Sequence, residues 1–161
     1  MRISPTQQLY AGIGSRETPL DILQVMERLG KKLALEGWML RSGGAKGADT
    51  AFHNGCIKAK GQCEIFTAQH ATPESLEIAA KYHPNWSACS DYAKRLHARN
   101  GLIVLGKELN APVRVIVCWT PEAKVSGGTG QALRLAADMG IKVRNLADKN
   151  VLRNVLEYLE R

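Results

Sequence analysis

No CxxC pair occurs among Cys56, Cys63, Cys89 and Cys118, the four cysteines of the chain. That spacing supports neither a zinc ribbon nor a dense disulfide framework, so reduced thiols are expected. His53, His70, His83 and His97 show no HExxH or other ligand-like spacing, so no metal and no cofactor is expected. Aromatic residues make up only 6%, too few to support a base-stacking platform for single-stranded nucleic acid. Lysine- and arginine-rich runs are missing too, although the net charge of +7 still favours anionic partners. The longest apolar run, VRVIVCW, falls far short of the roughly 20 residues that span a bilayer. The opening MRISPTQQ has no apolar core of the kind a signal peptide needs, so a cytoplasmic protein away from membranes is expected. With no repeat, low-complexity tract or linker, residues 1–161 are expected to form one domain.

What the chain does have is glycine, placed at particular junctions. RSGGAKGADTAF, residues 41 to 52, follows an apolar run and carries three glycines, a lysine and an aspartate. GIGSRETP begins at Gly12 and SGGTGQA at Ser126. Around these loops, short apolar segments alternate with helical periodicity. QLYAGIGS, WMLRS, CEIFTA, APVRVIVCW and KVRNL read as strands, the fourth β-branched enough for a centre buried on both faces. LDILQVMERLGKKLALEG reads as a helix closed by Gly37, and residues 48 to 60, GQALRLAADMG and NVLRNVLEYLE read as helices. Between Pro73 and Lys107 the pattern is mostly helical, interrupted by HPNWS, with Arg95 and Arg99 four residues apart on one helix face. Strands alternating with helices imply right-handed crossovers and a parallel sheet covered on both sides, an α/β, Rossmann-like fold.

In such a sheet ligands bind beyond the carboxyl ends of the strands. All three glycine loops stand between a strand and a helix, so they converge on that edge. The helices they open would present free N–H groups and the positive dipole end to an anion. The candidate ligand-binding residues are Gly12, Gly14, Ser15 and Arg16 in the first loop, and Ser42, Gly43, Gly44, Lys46, Gly47 and Asp49 in the second. The third supplies Ser126, Gly127, Gly128, Thr129, Gly130 and Gln131. Glycine admits the backbone to a phosphate, hydroxyls donate to it, and Arg16 can do so bidentately. Asp49 reads either as a cap matched to the helix dipole or as a contact to a ribose or base edge. Lys46 reads as a phosphate partner or a solvated loop lysine. None of the loops is GxGxxG or GxxxxGK[ST], which disfavours ordinary NAD binding and P-loop hydrolysis.

Taken together, GIGSR, SGGAKGAD, HARNGLIVLG and GGTGQALRLAADMGIKVRNL resemble the SLOG superfamily of Rossmann-like proteins, over about residues 8 to 147. The superfamily includes LOG-type phosphoribohydrolases and the single-stranded DNA binders of the DNA-processing protein A family. The resemblance implies a nucleotide or nucleotide-derived ligand over the glycine loops. On the DNA-processing pattern, Ser42, Gly43, Gly47, Asp49, Arg99 and Asn100 become nucleotide or nucleic-acid contacts. Members of that branch usually carry further segments, for which 161 residues leave no room.

On the LOG pattern, PGGxGTxxE, Arg99 becomes the counterpart of the catalytic arginine. Gln131 then stands where the threonine belongs and Arg134 where the glutamate belongs. Glycosidic cleavage needs a carboxylate to stabilise positive charge or position water. Glu17 and Glu122 are the remaining candidates.

The expectation is a domain that binds a nucleotide or phosphorylated nucleoside, sensing or sequestering it. The alternatives are a phosphoribohydrolase and a single-stranded DNA-binding module. Self-association is expected through the 73–107 helices, as in SLOG relatives, with Tyr82, Trp86 and Tyr92 as anchors.

Overall fold

A computed structural model describes residues 7–161. The opening MRISPT, within the stretch read above for a leader, lies outside the described residues. Five strands form one parallel sheet in the order β3-β2-β1-β4-β5. They are β1 (Leu9–Gly12), β2 (Met39–Ser42), β3 (Cys63–Ile65), β4 (Val115–Cys118) and β5 (Lys142–Asn145). The helices are α1 (Leu20–Leu35), α2 (Ala48–Lys58), α3 (Pro73–Tyr82), α4 (Asp91–Leu105), α5 (Gly127–Asp138) and α6 (Lys149–Leu159). The Rossmann-like expectation holds, with every strand pair parallel.

Two apolar clusters, one on each face of the sheet, hold the layers together. Tyr10, Leu40 and Val117 pack with Met26, Leu29 and Phe52 of α1 and α2, while partly buried Val155 and Leu159 of α6 close that layer. Leu9, Ala11, Met39 and Ile116 pack with Leu102, Ile103, Leu133 and Ala136 of α4 and α5. Alternating residues of the central strands thus feed opposite faces, as the strand period of two requires. A parallel strand buried on both sides has to be apolar throughout; β1, LYAG, is buried along its whole length.

A charged residue of β2 breaks that rule. Arg41 of β2 is fully buried. Its Nε donates to Glu64 Oε1 of β3 at 3.0 Å, and another guanidinium N–H donates to the Ala111 carbonyl. The charge is tolerated because it is paired and hydrogen-bonded. Arg41 ties β2 to its neighbour and to the segment entering β4.

The helices β1 and β4 lead into, α1 and α5, lie on opposite faces of the sheet. This makes the gap between β1 and β4 the topological switch point, where such sheets open a crevice. Gly37 ends α1 with φ of +90°, a left-handed conformation that glycine adopts without a Cβ clash.

Candidate functional site

At the switch point the loops after β1, β2 and β4 and one face of α4 enclose a cleft of about 840 Å³. Ligand pockets commonly measure about 300–1,000 Å³. Of the sequence candidates, Gly14, Ser15, Arg16, Gly43, Gly44, Lys46, Asp49, Arg99, Asn100, Ser126, Gly127, Gly128 and Thr129 line it. Loop one is pinned to the β4 loop by Ser15 N–H donating to the Trp119 carbonyl at 3.0 Å. Asn100 Nδ2 donates to the Gly128 carbonyl at 3.1 Å and holds the start of α5 against α4. SGGTGQA is less a loop than a helix start: Ser126 is the N-cap and α5 begins at Gly127.

Five candidates do not line the cleft, and each has another physical duty. A Cβ on Gly12 would fall 2.5 Å from the Phe52 ring, so Gly12 permits packing of β1 against α2. Ser42 is fully buried and donates to the Gly12 carbonyl at 2.6 Å, stitching β2 to β1. Gly47, with φ of +93°, supplies the left-handed turn that starts α2. Gly130 is buried inside the first turn of α5, where a Cβ would meet the Val125 backbone at 3.1 Å. Gln131 is buried and donates to the Ala79 carbonyl at 2.9 Å, joining α5 to α3.

Arg134 has a structural role of the same kind. Its Nε donates to the Tyr82 carbonyl at 2.8 Å and its Nη2 to Gln131 Oε1 at 3.3 Å, closing the C-terminus of α3. Of the two substitute carboxylates, Glu17 lines the cleft and Glu122 does not. Glu122 is an exposed turn residue paired to Lys124 at 3.0 Å.

Arg99 is the central cation. It sits within α4, and its Nη1 donates to the Gly43 carbonyl at 2.6 Å. Arg99 Nε is buried without a hydrogen-bond partner. Asp49, also buried, accepts from the Ala45 N–H at 3.1 Å. Burial raises the Asp49 carboxyl above its ordinary value, while the backbone bond from Ala45 and the nearby Arg99 charge pull it back. Arg95, paired with Arg99 on sequence, is exposed and outside the cleft wall.

The sequence reading missed Tyr92, Leu96, His97 and Ile103, which line the cleft from α4. The signal was present: Tyr92, Leu96, Arg99 and Ile103 recur at steps of four, three and four, one helix face. Burial lowers the His97 imidazole below its ordinary value, helped by His83, Arg134 and Arg99 nearby. His83, Cys89 and His97 come together in space despite their irregular spacing. Of the three aromatic anchors, Tyr82 hydrogen-bonds Asp138 and packs against the core, and Trp86 is half-buried beside His83. Tyr92 is 59% exposed at the cleft.

The fold and site define a Rossmann-like α/β domain with a cationic cleft at its switch point. The family model for DNA recombination-mediator protein A matches residues 3–150, and the chain belongs to that family, a SLOG-type fold. No curated protein sequence gives a match. DNA processing protein A from Streptococcus pneumoniae superposes with a TM-score of 0.59 at 20% identity, over 86% of this chain and 50% of that one. The chain thus spans half the length of the pneumococcal protein. The molybdenum cofactor binding protein from Rippkaea orientalis superposes with a TM-score of 0.61 at 22% identity, over 94% of this chain and 86% of that one. The molybdenum cofactor carrier protein of Chlamydomonas reinhardtii gives 0.56 at 20% identity, over 86% and 76%. At these identities the likeness is one of fold. Among the described residues no helix is long and apolar enough to cross a membrane.

Proposed function

We propose that the cleft binds a nucleotide or phosphorylated nucleoside through its phosphate. The observation that carries this reading is the distribution of helix caps. Thr72, Ser90 and Asp148 cap α3, α4 and α6 by accepting backbone N–H bonds. No side chain caps α1, α2 or α5, and of these three the first turns of α2 and α5 meet the cleft, through Asp49 and through Gly127, Gly128 and Thr129. Uncapped first-turn N–H groups with a positive dipole end are complementary to an anion. Arg16, Lys46 and Arg99 in the cleft wall supply three cations against the carboxylates of Glu17 and Asp49.

Family membership favours a second reading, in which the same cleft holds the backbone of single-stranded DNA. Hydrolysis of a bound nucleotide would have to use Glu17 or Asp49, the two carboxylates of the cleft wall, since Arg134 is committed to the Tyr82 carbonyl. Self-association is proposed through Tyr92, the one aromatic anchor left exposed of the three.

Calorimetry with nucleoside 5′-monophosphates and the matching nucleosides tests the main reading. Monophosphates should bind and nucleosides should lose at least tenfold. Equal binding of both, or binding of neither at millimolar ligand, overturns it. Single-stranded oligonucleotides that bind with a steep salt dependence while monophosphates do not would transfer the cleft to DNA. Release of free base at enzymatic rates would establish catalysis.

A further inference from the structure

Outside the contacts invoked for phosphate, three side chains of different elements meet on the flank of the cleft. His83 caps the C-terminus of α3, Cys89 follows the short turn Trp86–Ala88, and His97 lies on α4. One ligand-capable atom from each lies within 4.8 Å of those of the other two, and all three residues are half-buried. Among the described residues this is the one such trio of histidine, cysteine and carboxylate side chains. We propose that His83, Cys89 and His97 form a binding site for a thiophilic divalent metal ion of the Zn²⁺ class.

The donor set and spacing carry the proposal. Two imidazoles and one thiolate suit Zn²⁺, and three protein ligands leave a fourth position for water or another ligand. With Zn–S near 2.3 Å and Zn–N near 2.05 Å, a tetrahedral ion sets its S···N edges at about 3.6 Å and its N···N edge at about 3.4 Å. Cys89 Sγ already lies 3.6 Å from His83 Nε2. The imidazole rings of His83 and His97 lie 4.5 Å apart between centroids, tilted by 59°. Since every pair is within 4.8 Å, no edge has more than about 1.4 Å to close on a tetrahedral ion.

Two contacts must change when the ion enters. His83 Nδ1 accepts the Asn85 N–H at 3.0 Å, which leaves Nε2 as the ligand atom. Ligation through Nε2 puts the ring proton on Nδ1 and makes it a donor, so the Asn85 amide has to turn away. Pro84 and Asn85 are exposed, which gives this turn room to shift. Cys89 loses its thiol proton to solvent on binding and releases the weak contact to the Asn85 carbonyl at 3.6 Å. His97 also lines the cleft, so the ion would border it. Metal binding itself does not depend on the nucleotide reading.

Titration of the reduced, metal-free full chain with Co²⁺ tests the site, because cobalt reports its ligands by absorption. One equivalent should give the intense visible bands of tetrahedral cobalt and a thiolate-to-metal charge-transfer band in the near ultraviolet. One equivalent of Zn²⁺ should remove both. C89S should abolish the charge-transfer band, and H97A should weaken binding at least tenfold. C63S, altering the other half-buried thiol, should leave the spectrum unchanged. Independently of any variant, Zn²⁺ should protect Cys89 of the wild-type chain from alkylation, read by peptide mass spectrometry. No thiolate band at micromolar cobalt, a band that survives C89S, or alkylation of Cys89 indifferent to Zn²⁺ would each overturn the proposal. A failure of nucleotide binding would leave these readouts unaffected.

Discussion

R99A separates a ligand contact from a structural cation. Arg99 has two attachments on the protein side: the Gly43 carbonyl at 2.6 Å and the charge of the buried Asp49. Its Nε is buried and unpartnered, while the side chain as a whole lines the cleft. Removing a charge-assisted hydrogen bond to phosphate should cost about 1.5–3 kcal/mol, or about ten- to a hundredfold in affinity. Calorimetry with a nucleoside monophosphate measures this directly, with circular dichroism checking the fold. The same substitution has a second consequence at Asp49. Its carboxyl is raised by burial above the ordinary 3.8, and Arg99 is one of the groups that restrain it. A raised folded-state value means the folded chain holds that proton more tightly than the unfolded chain. The stabilisation is therefore present at low pH and is lost as pH rises through the folded-state value. Without Arg99 the carboxyl rises further, so R99A should lose stability more steeply than wild type as pH rises above the ordinary carboxyl value of 3.8. A well-folded R99A that binds the monophosphate within twofold of wild type would refute the role given to Arg99. A parallel stability profile would refute its coupling to Asp49.

Gly43 offers a test from the other side of the same contact. A Cβ there would lie 2.7 Å from Arg99 Cζ and 2.8 Å from Asp49 Oδ2, so G43A should displace the guanidinium and weaken binding. The losses from G43A and R99A should be strongly non-additive in a double-mutant cycle; full additivity would show that they act separately. R134E removes the donor to the Tyr82 carbonyl and should lower stability by about 1–3 kcal/mol in denaturant melts. It should release no base from a nucleotide, and chromatographic detection of free base would contradict the structural role assigned to Arg134. Cys118 is fully buried and its thiol is pushed up to about 12, so alkylation of the native, metal-free chain near pH 8 should spare it while modifying half-buried Cys89. Peptide mass spectra showing both labelled at similar rates would contradict that burial.

The order of strands and helices was legible because it is written in short-range patterns. The β-branched run ending at Cys118, the periodicity after Pro19 and the left-handed Gly37 each act over a few residues. The glycine loops were legible for the same reason, since a βα junction is local, and local junctions in a parallel sheet all open on one edge. Arg99 and Asn100 came from the motif resemblance, and the structure puts both in the cleft wall.

Which way a polar side chain turns from its junction was not legible. Ser42 turns inward to the Gly12 carbonyl and Gln131 to the Ala79 carbonyl, because strand and helix neighbours distant in sequence offer those acceptors. The close crossing of α1 and α2 is decided the same way. A Cβ on Gly55 would fall 2.1 Å from the Glu27 carbonyl oxygen, and one on Gly30 2.6 Å from that of Phe52. The His83, Cys89 and His97 cluster has no regular spacing because three separate elements supply it. Local propensity and periodicity determined the elements and the edge on which a ligand site could form. The placement of β1 beside β4, and of α4 over their carboxyl ends, selected the residues that meet there, because contacts between distant segments follow from burial against both faces of one sheet.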